Sequence, residues 1–125
     1  MTVDDYNGFC ASLPHVAHVV QWGGAHVWKV GGPTGKVFAI AGWEDGEDDE
    51  LAVTFKCSPM TFELLKEMKG VRPAPYLASR GMIWLQRTGA QTIGDEALCD
   101  YLRESHRLAA LNLPKGVQRK LGLTA

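Results

Sequence analysis

Few residues in this chain could act as nucleophiles, bases or metal ligands, and their spacing limits what they can do. His15, His18 and His26 lie near one another, with Cys10 a short way upstream. Residues of these types hold zinc when four of them converge. No downstream pair has ligand spacing, so the histidines read as residues of a surface loop, and no metal is expected. Ser105 and His106 are adjacent in a helical stretch, where His106 reads as a surface residue and not as a base. The chain carries no G-x-S-x-G, no H-E-x-x-H, no phosphate loop and no dinucleotide fingerprint. Gly31, Gly32 and Gly35 do not open a helix, as a phosphate cradle would require, and they read as hairpin glycines. The acidic run EDGEDDE (44–50) does not fit the calcium-loop pattern and reads as a solvated hairpin tip. The expectation is a protein that is not an enzyme and that uses no cofactor.

Binding chemistry is better represented. Trp28 and Trp84 fall on strand-like segments, and Lys56, Arg72, Tyr76 and Arg80 fall where they could fringe the same sheet face. Aromatic rings stack on bases for about 1–3 kcal/mol each, and Lys or Arg neutralise phosphates. Lys115, Arg119 and Lys120 form a second basic group near the end of the chain. The competing reading is that Trp84 and Tyr76 are packing residues with arginine stems laid over them, since tryptophan is usually well buried. Charge is split along the chain: residues 1–55 hold two lysines against eight acids, whereas 56–125 hold eleven cations against six acids. A pI near 6.4 is far from that of a typical nucleic-acid-binding domain.

The elements that must position these residues follow from periodicity. Thr2 and Asp5 resemble a capping box, and Tyr6, Phe9, Cys10 and Leu13 form an apolar stripe, giving a helix over 2–13. Strands are expected at 26–30 and 36–42, joined by the GGPTG turn, and at 51–56. Ser58, Pro59 and Gly70 bound a helix over 58–69, with Met60, Leu64, Leu65 and Met68 turned inward. Pro73 and Pro75 make a stiff crossover to a strand at 82–87, and TGAQTI (88–93) marks a turn beside a further strand. A final long helix spans 95–111, with Leu98, Tyr101, Leu102, Ser105, Leu108 and Ala109 inward, and 115–122 suits a short basic turn. The expected fold is α+β, a two-layer antiparallel sheet with helices on one face in the order α-β-β-β-α-β-β-α.

At 125 residues the chain suits one domain spanning 1–125. No apolar run is long enough for a membrane span, the N-terminus does not resemble a secretory signal, and the three cysteines are scattered. These features suit a cytoplasmic monomer with reduced thiols.

Several pieces, in order, resemble the MmcQ/YjbR family of small bacterial proteins. FCASLPHV resembles its Cys-x-x-Leu-Pro opening, and VWKVGGPTGKVFAI its strand, glycine turn and Lys-x-Phe-Ala segment. FKCSP and GVRPAPYLASRGMIWLQ are similar to its Lys-Cys-x-Pro and Pro-Ala-Tyr…Trp signatures, and ESHRLAALNLPK to its closing segment. The resemblance implies a compact domain of double-wing shape, akin to secretion chaperones. It also implies a binding role for which DNA has been the proposed ligand. The chaperone-like shape implies the alternative, a protein-interaction module that would expose an apolar patch instead of a basic one.

Overall fold

The computed structural model describes residues 1–46, 50–75, 77 and 81–123, with backbone alone at 43–45. Among them the chain forms α1 (Val3–Ala11), β1 (Val16–Gln21), β2 (Ala25–Val30), β3 (Lys36–Asp45), β4 (Leu51–Lys56) and α2 (Pro59–Leu65). β5 (Val71–Pro73), β6 (Trp84–Arg87), α3 (Asp95–Ala110) and α4 (Lys115–Leu121) follow. All six strands join one antiparallel sheet in the order β1-β2-β3-β4-β6-β5, so the protein is α+β as its sequence pattern indicates. No helix among the described residues is long and apolar enough to cross a membrane.

Two strands arise where the pattern showed none. The stretch after Pro14, read above as a surface loop, is β1. His15 takes a left-handed turn (φ 57°), which swings the chain straight from the end of α1 into extended backbone beside β2. The proline crossover is itself an edge strand, β5, of three residues. Pro73 has no N–H to give a ladder, and an edge position tolerates that loss. The second strand expected near TGAQTI is therefore β5, which lies before β6 and not after it. Residues 88–93 lead directly into α3. Gly70 at φ 76° receives this loop: its carbonyl accepts Thr88 N–H at 2.8 Å and Gly89 N–H at 3.3 Å. A Cβ at Gly70 would lie 2.7 Å from the Gly89 carbonyl oxygen, so only glycine allows the loop to sit this close.

The core lies between one sheet face and the helices. Strand alternation turns Trp28 and Val30 of β2, Val53 and Phe55 of β4, and Leu85 of β6 toward Tyr6 and Cys10 of α1 and Leu98 and Leu102 of α3. Phe38 and Ala39 both reach this core because the β2–β3 register shifts between Trp28 and Lys29, the signature of a bulge. Ser105 fastens α3 to the sheet: its hydroxyl donates to Phe38 O at 2.6 Å and accepts Lys56 N–H at 2.8 Å. His106, expected at the surface, is buried beside Phe38, and its Nε2 donates to Pro14 O at 2.8 Å.

The opposite sheet face is not open either. Val27 and Ile40 form a smaller cluster there, against which Leu77 packs from the segment after β5. Further along that face Thr54 and Gln86 are buried. Gln86 Nε2 donates to Thr54 Oγ1 at 3.1 Å, and Gln86 Oε1 accepts Arg72 Nε–H at 2.8 Å.

Candidate binding surface

Ser58 ends the extended run after β4 and starts α2, its Oγ accepting Thr61 N–H at 3.2 Å, with Pro59 in the first helical turn. Cys57 N–H donates to Ile83 O at 3.2 Å, which ties the entry of α2 to the strand segment before β6. Met82 and Trp84 are fixed in turn: Met82 N–H donates to Leu77 O at 3.1 Å and Ala74 N–H to Trp84 O at 3.0 Å. Between these two fixed segments lies a groove made of two adjoining hollows, both lined by Pro59, Met82 and Ile83. The larger, of about 310 Å³, adds Trp84, Leu108, Cys57 and Lys56. The smaller, of about 210 Å³, adds Phe62 and Glu63. Burial pushes the Cys57 thiol up to about 11, so it is a neutral apolar wall and not a nucleophile.

Beside the groove α2 exposes large apolar side chains. Met60 and Leu64 are 74% and 69% exposed. They stand one residue, about 100° of helix, round from Pro59 and Glu63 of the groove wall. Met68 and Met82 are also exposed. Of the inward stripe expected for this helix, Met60, Leu64, Leu65 and Met68, only Leu65 reaches the core, joined by Phe62, while Met60, Leu64 and Met68 are exposed. Both stripes fit a short segment with apolar residues at 60, 62, 64, 65 and 68. The Cys57–Ile83 hydrogen bond and the Ser58 cap set the rotation of the helix, and neither is a matter of periodicity.

The residues singled out for stacking and phosphate contact disperse. Trp28 and Trp84 are 6% and 5% exposed, so neither indole offers a face for a base. Arg72 is exposed and bound to Gln86, and Lys56 borders the groove. Tyr76 and Arg80 lie outside the described residues, as does the middle of the acidic run, 47–49. Glu44 and Asp45 of that run end β3, with Asp45 opposite Leu51, and Gly46 N–H donates to Glu50 O at 2.9 Å. Lys115, Arg119 and Lys120 project from α4, exposed and without an ion pair to a described residue. On α3, Arg103 and Arg107 are engaged with Asp100 and Glu104, each at 2.6 Å.

Two of the histidines do meet. His18 Nε2 is 3.0 Å from His26 Nδ1, and the His18 ring stacks on Trp28 at 4.6 Å between centroids. Donor logic favours one tautomer pair. The Trp28 indole can only donate, and it donates to Asn7 Oδ1 at 3.0 Å. That turns Asn7 Nδ2 toward His26 Nδ1 at 3.3 Å, making this ring nitrogen an acceptor. His18 Nε2 is then the donor to it. The His26 Nδ1 lone pair is thus engaged, Cys10 is buried in the core, and no group of three or more metal-ligating side chains converges among the described residues. Partial burial, and then the neighbouring His26, hold His18 below its ordinary pKa.

A YjbR family model matches residues 11–108 of the chain. The crystal structure of the Deinococcus radiodurans protein DR2400, which carries a DUF419 domain, superposes with a TM-score of 0.82 at 26% identity, covering 98% of this chain and 89% of that one. No curated protein matches. The groove, unlike the basic residues, left no trace in the sequence pattern. Its walls come from residues 57–63 and 81–84, apposed only by the sheet pairing, with Leu108 brought in from α3.

Proposed function

Since the chain belongs to the YjbR family, we propose that it is a non-enzymatic binding module whose occupied surface is the apolar groove between α2 and the segment leading into β6. One observation carries this reading: Met60 and Leu64 stand in water beside a groove lined by Pro59, Phe62, Met82, Ile83 and Trp84. Exposed contiguous apolar surface is costly in a soluble chain and marks a place where another molecule docks. Methionine suits such a site, because its flexible thioether adapts to different apolar partners. The occupant that fits is an amphipathic segment of a protein, with two large apolar side chains for the two hollows and a carboxylate toward Lys56.

The test is a titration of the protein with amphipathic helical peptides bearing a Leu or Phe pair and one acidic residue, read by the change in intrinsic tryptophan fluorescence. Binding that vanishes in Met82→Asp supports the reading. Peptides that fail to bind, or that bind the variant equally, refute it.

A second reading has its own observation, the exposed Lys115, Arg119 and Lys120 on α4. A DNA ligand, the one suggested by family resemblance, would lie along that helix through phosphate contacts alone, because both buried indoles are withheld from stacking. Its signature is weak, salt-sensitive binding to any sequence. In the triple alanine variant the slope of log affinity against log salt would fall by up to about 0.9 for each lost contact.

A further inference from the structure

We propose that β1 pairs edge to edge with β1 of a second copy of this chain, in antiparallel register centred on His18, extending one sheet through both copies. β1 ends the sheet, and its pairing with β2 is known residue by residue, from Val16 opposite Val30 to Gln21 opposite Ala25. Gly31 N–H donates to His15 O at 2.8 Å, continuing that register by one residue. In an antiparallel pair, hydrogen-bonded and non-bonded positions alternate. The odd residues of β1 therefore bond to β2, and the even ones, Val16, His18 and Val20, turn their N–H and C=O groups outward.

The composition of this edge leaves it open to pairing. Natural edges are blunted by shortness, charge, proline or bulges. The other edge, β5, uses three of these devices: it is three residues long and contains Arg72 and Pro73. β1 is six residues long, VAHVVQ, with no formal charge, no proline, and an unbroken register against β2. Val20 is 56% exposed.

A second copy is the occupant because the strand complements itself. With His18 opposite its own symmetry mate, Val16 faces Val20 of the other copy and Ala17 faces Val19. Trp22, half exposed just past the strand, comes opposite Pro14. Each contact occurs twice, as a two-fold interface demands. No charged side chain is brought into the seam. The hydrogen bond to His26 and the stacking on Trp28 already hold the His18 ring in place, so pairing need not order it. The groove lies at the β4–β6 end of the sheet, so the two surfaces are tested separately.

Sedimentation equilibrium of the full chain across micromolar concentrations gives the mass, and amide hydrogen exchange at high and low concentration gives the edge. The expected result is a dimer whose His18 and Val20 amides lose protection on dilution while those of Ala17 and Val19 keep theirs. Val20→Lys should weaken the dimer by about tenfold or more with little change in Tm. A monomeric mass throughout would overturn the proposal. So would a dimer whose affinity is unchanged by Val20→Lys, or one whose His18 amide exchanges alike at both concentrations.

Discussion

α3 and α2 both carry apolar stripes, and they dispose of them in opposite ways. α3 runs sixteen residues across β2, β3 and β4 and buries Leu98, Leu102, Ser105, His106, Ala109 and Ala110. α2 runs seven residues, buries no residue fully, and meets the core through Phe62 and Leu65 while Met60 and Leu64 face water. Burial of a leucine side chain stabilises by roughly 1.5–3 kcal/mol, so α3 contributes to folding what α2 holds back. A helix that leaves such side chains exposed is available for association. α3 is the part that holds the sheet, and α2 is the part that can meet something else.

The largest expected effect lies on α3. Leu102 is fully buried against the sheet. Leu102→Ala should cost about 2–5 kcal/mol and lower Tm by roughly 10–20 °C in a thermal melt. A loss under about 1 kcal/mol would mean that α3 does not hold the core as described.

Next comes Ser105→Ala, which tests the polar fastening. The variant leaves Lys56 N–H and Phe38 O without the hydroxyl they share. Stranding a buried donor costs about 1–3 kcal/mol in denaturant unfolding. Ser105→Cys, similar in size but weaker in hydrogen bonding, should recover only part of it.

His106 gives a smaller, pH-dependent effect. Burial pushes its pKa below the ordinary value near 6.5, outweighing the opposing effect of its hydrogen bond to Pro14 O. The unfolded chain then binds the proton more readily than the folded one. Stability from this residue is complete above pH 6.5 and is lost as pH falls from there toward the lower folded value. His106→Gln keeps a donor for Pro14 O and removes the titration. The variant should show a shallower decline of Tm with falling pH below about 6.5 than the parent. Equal slopes would place the proton elsewhere, with His18, also held low, the next group to replace.

How far the sequence could be read tracks the same division. α3 was legible because one consistent stripe over four turns admits a single rotation, and the acidic first turn with Arg103 and Arg107 behind it agrees with the helix dipole. β4 and β6 were legible from alternation. β1 was not, because His15 and His18 interrupt the apolar pattern and the left-handed turn at His15 carries no glycine to announce it. β5 was concealed by Pro73 at its end and Pro75 just beyond it. The burial of Trp84 is a tertiary fact that no local pattern encodes. The basic residues were visible as types, but the ion pairs that engage Arg103 and Arg107 on α3 are properties of the folded chain.

The smallest expected effect is the sharpest probe of α2, because it sets two adjacent leucines against each other. Leu65 packs on the core and Leu64 stands in water. Leu65→Ala should cost about 1–2 kcal/mol, less than a fully buried leucine because the site is only half enclosed. Leu64→Ala should stay within about 0.5 kcal/mol, as surface changes usually do. In peptide titrations the order should reverse: Leu64→Ala weakens binding because the side chain extends the apolar surface beside the groove, and Leu65→Ala leaves affinity nearly unchanged wherever the protein remains folded. Denaturant melts of the two variants under one set of conditions decide the first half. A costly Leu64 and a silent Leu65 would turn α2 by one residue, restore the inward stripe of Met60, Leu64 and Met68, and remove the exposed surface on which the binding reading rests.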